Sequence, residues 1–112
     1  MKAKEYMQLY KIYLDDERTP KTSGWYIVRN YNDFINTIKL HGMPTEISFD
    51  HDIASYDDTG KEMTGLDAAR FVVDYCMDND LTCPDFNVHS ANPVGAENIK
   101  SLLQSFKRHQ NK

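Results

Sequence analysis

The sequence predicts an α/β fold built on a short, open parallel sheet. Four apolar runs rich in β-branched and aromatic residues, at 9–14, 25–29, 46–49 and 86–89, read as strands. Three segments with a 3.6-residue apolar period alternate with them. No linker, repeat or low-complexity tract divides the 112 residues. One domain over 1–112 is therefore expected, with a short N-terminal extension at 1–8 and a fraying tail at 108–112.

The strands are short and almost continuously apolar, as expected of strands covered on both faces. The first two are joined by a stretch carrying Pro20, Ser23 and Gly24 with no helical period, so a loop stands where a crossover helix would be. The first helix presents Tyr31, Phe34, Ile35 and Ile38 on one face. Gly42 stops it and Pro44 bars its continuation. After the third strand, residues 54–63 are polar and read as a mobile loop. The second helix opens at Thr64 with Asp67 three residues on, a capping-box pattern. It carries an apolar stripe of Leu66, Ala69, Val72, Val73, Cys76 and Met77. The third opens at Asn92-Pro93, a cap followed by proline at the first helical position. Ile99, Leu102, Leu103 and Phe106 form its apolar face, and Lys107, Arg108 and His109 suit the negative end of its dipole.

Composition narrows the function classes. Apolar residues make up 40% and charged residues 27%, which argues against disorder. A formal net charge of −4 excludes a broad nucleic-acid-binding surface. A small site gripping one nucleic-acid end needs only a few local cations and stays open. Cys76 and Cys83 are too few and too loosely spaced for a zinc site or a disulfide framework, and read as reduced thiols with Cys76 in the core. No apolar run approaches the roughly 20 residues of a membrane span, and the charged first ten residues do not read as a signal peptide. A cytoplasmic location and no membrane partner are expected.

Ligands of open α/β sheets bind at the carboxyl ends of the strands. Asp15, Asp16 and Arg18 follow the first strand, Asp50, His51 and Asp52 the third, and His89, Ser90 and Asn92 the fourth. With the first and third strands as neighbours, the carboxylates of Asp15, Asp16, Asp50 and Asp52 gather at one edge. Such a cluster calls for a neutralising cation, and oxygen donors suit Mg²⁺ or Mn²⁺. Arg18 is a fork donor for phosphate. The helix start at Asn92 to Gly95 offers free N–H groups to an anion, and Gly95 allows close backbone approach. His51 and His89 titrate near neutral pH and suit general acid and base work.

Each feature also has a structural reading. The Asp15-Asp16 pair and the run Asp50-His51-Asp52 fit turns, Arg18 fits an ion pair with Asp15 or Asp16, His89 fits a satisfied strand-end histidine, and Asn92 fits a helix cap. His41 and His109 read as surface helix ends. Trp25 and the tyrosines read as core and rim rather than a base-stacking platform. The functional reading rests on all three segments falling on one sheet edge.

The segments Leu14-Asp15-Asp16-Glu17-Arg18-Thr19-Pro20, Phe49-Asp50-His51-Asp52 and Val88-His89-Ser90-Ala91-Asn92-Pro93-Val94-Gly95-Ala96 together resemble the cyclic-phosphate-processing receiver-like domain, a bacterial and phage offshoot of the response-regulator receivers. The resemblance runs in order over residues 11–106. It implies a truncated receiver-like (flavodoxin-like) three-layer fold of about four parallel strands in order 2-1-3-4 with three helices, the first crossover helix being lost. It implies that Asp15, Asp16 and Asp50 hold Mg²⁺, and that Ser90 matches the receivers' hydroxyl residue. The receivers' lysine after a fifth strand has no counterpart, which speaks against a phosphorelay role.

The expected function is a metal-dependent phosphoesterase-like hydrolase acting on a cyclic phosphate, with a cyclic-phosphate-bearing nucleotide or RNA end as partner and a place in RNA repair. Asp15, Asp16 and Asp50 would hold the ion. Arg18, Asn92 and Gly95 would grip the phosphate. His51 and His89 would share the proton transfers, with Asp52 or Ser90 orienting one of them. The alternatives are a receiver-type phosphoacceptor with Asp50 as acceptor, and a non-catalytic accessory protein that uses the 54–63 loop as its contact surface.

Overall fold

The structure is a computed structural model and describes residues 8–111. Strands β1 (Gln8–Leu14) and β2 (Trp25–Val28) precede helix α1 (Tyr31–His41) and strand β3 (Pro44–Phe49). Two short strands follow, β4 (Ser55–Tyr56) and β5 (Glu62–Met63). Then come α2 (Gly65–Asn79), β6 (Asp85–Val88) and α3 (Pro93–Gln110). The main sheet has the order β2-β1-β3-β6, parallel throughout. That is the expected sheet of four strands with three helices, and the link from β1 to β2 is the expected helix-free loop.

Local chemistry accounts for the helix boundaries. Asn30 caps α1 by accepting from the Asp33 N–H at 2.8 Å. Gly42, at φ +91°, closes it with an N–H to the carbonyl of Ile38 at 2.8 Å. Thr64 and Asp67 form the capping box of α2, and Asp80 ends that helix in the left-handed region at φ +55°. Asn92 accepts from the Gly95 N–H at 2.9 Å and Pro93 opens α3.

The layering differs from expectation on one side of the sheet. From β2 to β3, and from β3 to β6, the chain moves across the sheet in one direction. Right-handed crossovers then set α1 and α2 on the same face, and α3, which follows the last strand, packs beside α2 there. The core is accordingly one-sided. Ile12, Leu14, Val28, Ile47 and Phe49 point into it and meet Phe34, Ile38, Val72, Ile99 and Leu103. The alternate positions, Lys11, Tyr13, Trp25, Ile27, Glu46, Ser48 and Asn87, face the other way, where no helix packs among the described residues. Strands covered on both faces are thus not observed: the missing crossover between β1 and β2 removes the helix that would cover this side.

Three further expectations are corrected. Residues 54–63 are not an unstructured loop. They hold the antiparallel pair β4–β5, closed by the Asp57 carboxylate, which accepts from the Thr59 N–H and hydroxyl and the Lys61 N–H. Met77 lies on the solvent side of α2, at 64% exposure, because the stripe facing the core runs through Ala68, Ala69, Val72 and Cys76. Helix α3 continues through residues expected to fray: the Gln110 side chain accepts from the Cys83 N–H and donates to the Leu81 carbonyl, both at 2.9 Å. Residues 1–7 of the expected N-terminal extension and residue 112 lie outside the described residues. Both cysteines are free and buried, and burial pushes the Cys76 thiol up to about 12. Among the described residues no helix is long and apolar enough to cross a membrane.

Candidate functional site

The sheet ladder continues one residue past three strands and fixes the heart of the site. The N–H of Asp15 donates to the carbonyl of Val28 at 3.1 Å, that of Asp50 to Leu14 at 2.9 Å, and that of His89 to Phe49 at 2.9 Å. Asp15, Asp50 and His89 therefore leave the sheet side by side. One donor atom of each lies within 4.8 Å of the others. Asp15 and Asp50 are 1% and 6% exposed, so their charges are held largely out of water.

Asp15 is the most heavily bonded residue of the site. Its Oδ1 accepts from the N–H groups of Glu17 and Arg18, both at 2.9 Å. Its Oδ2 accepts from Arg18 Nε at 2.9 Å and from His89 Nε2 at 3.1 Å. Burial by itself would raise its pKa. The two backbone donors, His89 and the Arg18 guanidinium outweigh that and hold the carboxyl below its ordinary value. Arg18 Nη2 also lies 3.5 Å from Asp50 Oδ2, so one guanidinium spans both buried carboxylates. Asp50 Oδ1 accepts from the N–H of His51 at 2.8 Å.

His89 has both ring nitrogens engaged. An ionised carboxylate only accepts, so Nε2 carries the proton toward Asp15. Nδ1 then accepts from the hydroxyl of Ser48 at 2.7 Å, and Ser48 accepts from the amide of Asn87 at 3.2 Å. The ring stacks on Tyr13, with centroids 4.3 Å apart and planes 4° apart. Burial pushes the pKa of His89 below the ordinary value against the opposing pull of Asp15 and Asp50, which favours a neutral ring.

His51 sits in a separate group. Its Nδ1 donates to Asp52 Oδ1 at 2.9 Å, and the Asn92 amide donates to Asp52 Oδ2 at 3.2 Å. The bond from His51, then that from Asn92, holds Asp52 below its ordinary pKa. The His51 ring packs against Gly95, where a Cβ would overlap it. The Gly95 N–H is already bonded to Asn92, so its place in the structure is that of a seat for His51 and a capped turn.

Two hollows flank the central carboxylates. One, of about 340 Å³, is lined by Asp15, Asp16, Arg18, Asp50, Asp52 and Ser90. The other, of about 720 Å³, opens onto the uncovered sheet face and is lined by Arg18, Tyr13, Trp25, Ser48, Asn87 and His89. The structure thus brings Asp15, Asp50, Arg18 and His89 together. Asp16, Asp52 and Ser90 are placed around the smaller hollow, and His51 lines neither.

Sequence reasoning missed several members. Ser48 and Asn87 orient His89. Arg29 donates to the carbonyls of Asp15 at 3.0 Å and Arg18 at 2.6 Å and so fixes the loop after β1. Gly65 brings the start of α2 against the backbone of Asp50 and His51, and its N–H donates to the carbonyl of His51 at 2.8 Å. Tyr13 and Trp25, read as core and rim, line the larger hollow beside His89. A period-two count along β1, β3 and β6 would have placed Tyr13, Ser48 and Asn87 on the face that carries His89.

The oxygen donors fit a hard divalent ion: the buried carboxylates of Asp15 and Asp50 converge beside a hollow that Asp16 also lines, while His89 Nε2, with its proton turned to Asp15, offers no lone pair there. No match is found among curated proteins or among solved structures. The sequence pattern of the cyclic-phosphate processing receiver domain matches residues 10–105. The chain belongs to the cyclic-phosphate processing receiver domain family.

Proposed function

We propose that this protein is a metal-dependent phosphoesterase-like enzyme that opens a cyclic phosphate, with an RNA end bearing a 2′,3′-cyclic phosphate as its substrate. The observation that carries the reading is the convergence of Asp15, Asp50 and His89 within 4.8 Å, with Arg18 spanning the carboxylates and reaching the surface. Asp15, Asp16 and Asp50 would hold Mg²⁺ or Mn²⁺. Held there, such an ion would neutralise charge on the carboxylates and on the phosphoryl oxygens.

The remaining work falls to side chains of this chain. Arg18, exposed over half its side chain, turns from Asp50 toward the phosphate and offers a fork of N–H donors. Hydrolysis adds a water oxygen to phosphorus, breaks one ring P–O bond and leaves the water's proton on the freed ribose oxygen. His89 is held neutral and is the proton carrier best placed beside the carboxylates. The Asp52–His51–Asn92 group orients the rim of the smaller hollow.

The test is a short RNA ending in a 2′,3′-cyclic phosphate, incubated with the protein and Mg²⁺ or Mn²⁺ beside an Asp50→Ala control. Metal-dependent opening that the control lacks is expected. No turnover with either metal overturns the reading.

One observation favours a second reading. Asp50 and Ser90 line the same hollow at the ends of β3 and β6, as a phosphoacceptor and its hydroxyl partner would. Treatment with a small acyl-phosphate donor, followed by mass measurement, separates the two: a phosphorylated Asp50 would support the acceptor role.

A further inference from the structure

The larger hollow lies on a surface that parallel sheets ordinarily keep covered. Its walls are aromatic and polar rather than aliphatic. Tyr13 and Trp25 meet edge to face with centroids 5.9 Å apart at 70°, and Lys11 Nζ sits 4.4 Å from the centre of the Trp25 ring. The Trp25 indole N–H donates to Thr22 at 2.9 Å, which sets the ring's orientation. Ser48, the small residue of β3 between Tyr13 and Asn87, forms the floor, and the exposed Asn87 amide stands on the far wall. At about 720 Å³ the hollow is within the size range of small-ligand clefts.

Its position relative to the acidic site is the second observation. Glu17 and Arg18 line both hollows, and His89 lines the larger one while bonding to Asp15. A molecule in this cleft therefore ends at the guanidinium and the carboxylates. Aromatic walls, amide and hydroxyl groups and a continuous path to a phosphate-gripping arginine match one kind of ligand.

We propose that the uncovered sheet face holds the nucleobase adjoining the cyclic phosphate, against Tyr13 and Trp25 and within reach of the Asn87 amide. The proposal rests on the cyclic-phosphate reading above and deepens it: the substrate is a nucleotide, recognised through its base as well as its phosphate. Aromatic platforms accept any base, because every base has a π-face, so weak sequence preference is expected.

The chain has one tryptophan, so Trp25 emission reports on this cleft alone. Two probes are compared without turnover, in EDTA: adenosine 2′,3′-cyclic phosphate and the base-free methyl riboside 2′,3′-cyclic phosphate. The base-bearing probe is expected to quench Trp25 emission and to bind about tenfold or more tighter. Trp25→Leu, followed by calorimetry, is expected to bring the ratio of the two affinities within about threefold. Asn87→Ala, at an exposed position that burdens folding least, is expected to narrow it as well. Equal affinities with unchanged emission overturn the base site and leave the cyclic-phosphate reading standing. Failure of both probes to bind in EDTA, and again with Mg²⁺ in its place, overturns both. Quenching that appears only after residues 1–7 are removed would assign the cleft to that segment and overturn the proposal. A concentration-dependent dimer that either probe leaves intact would assign it to a second copy, with the same consequence.

Discussion

The guanidinium of Arg18 donates through Nε to Asp15 at 2.9 Å while its Nη2 lies 3.5 Å from Asp50, so an internal cation already compensates the two buried carboxylates. Among the described residues no buried side-chain polar atom lacks a partner, and Arg18 supplies part of that satisfaction. A divalent ion bound by Asp15 and Asp50 must compete with it.

The competition has a measurable sign. Arg18→Ala is expected to tighten Mn²⁺ binding by about tenfold, roughly the worth of one charge-assisted hydrogen bond. The same change should weaken binding of a cyclic phosphate, because the fork donor is gone. Titration of Mn²⁺ followed by its paramagnetic signal checks the first half, and calorimetry with the phosphate ligand the second. Weaker Mn²⁺ binding in the variant would show that Arg18 supports the ion rather than opposing it.

His89 should make the fold acid-sensitive in EDTA. Its pKa in the folded chain lies below the ordinary value of 6.5, chiefly through burial. The unfolded chain then binds the proton more readily, so stability rises with pH across this window. The contribution is complete above about pH 6.5 and is lost as pH falls toward the folded value. Asp15, also lowered, acts in the same direction but further down, below its ordinary carboxylate range. His89→Gln should flatten the upper part of the profile, below about pH 6.5, and leave the carboxylate part. Thermal melts across pH read both.

How the site became legible follows from which residues carry local signals. Asp15, Asp50 and His89 were legible because each follows an apolar strand run, and strand ends in open α/β sheets collect ligand groups. Asn92 and Thr64 were legible as caps because capping chemistry is local in sequence. Ser48 and Asn87 were not, since a serine or an asparagine in a strand carries no signal until the partner strand and register are known. Nor was the uncovered face, whose exposure follows from the shared direction of two crossovers rather than from any one segment. The β4–β5 pair escaped notice because a polar ten-residue stretch with two-residue strands has too little alternation to read.

Gly65 and Gly95 should be sensitive for different reasons. A Cβ at Gly65 would run into the Asp50 carbonyl, which is backbone held by the sheet and cannot step aside. A Cβ at Gly95 meets the His51 ring, a side chain that can rotate away. Gly65→Ala is therefore expected to lose about 2–3 kcal/mol of stability, and Gly95→Ala about 1. Urea unfolding gives the ranking. In Gly95→Ala the His51–Asp52 bond should also break, which a ¹⁵N spectrum of the histidines would register; equal losses in the two variants would contradict the backbone argument.

Asp15 decides which tautomer His89 adopts, and Ser48 holds the ring in it. With Asp15 ionised, the ring proton sits on Nε2 and Nδ1 receives the Ser48 hydroxyl at 2.7 Å. The order Asn87, Ser48, His89, Asp15 is a chain in which each donor faces one acceptor. The Ser48 hydroxyl belongs to a residue only 2% exposed, so its part is to position His89, not to attack substrate. A ¹⁵N correlation spectrum at neutral pH should show His89 as the Nε2–H tautomer. Ser48→Ala leaves Nδ1 and the Asn87 amide without that partner and should cost about 1–3 kcal/mol. In that variant the ring is free to tilt from Tyr13, so the upfield ring-current shifts of His89 should shrink. Retention of both the tautomer and those shifts in Ser48→Ala would mean that Asp15 and Tyr13 alone orient the ring.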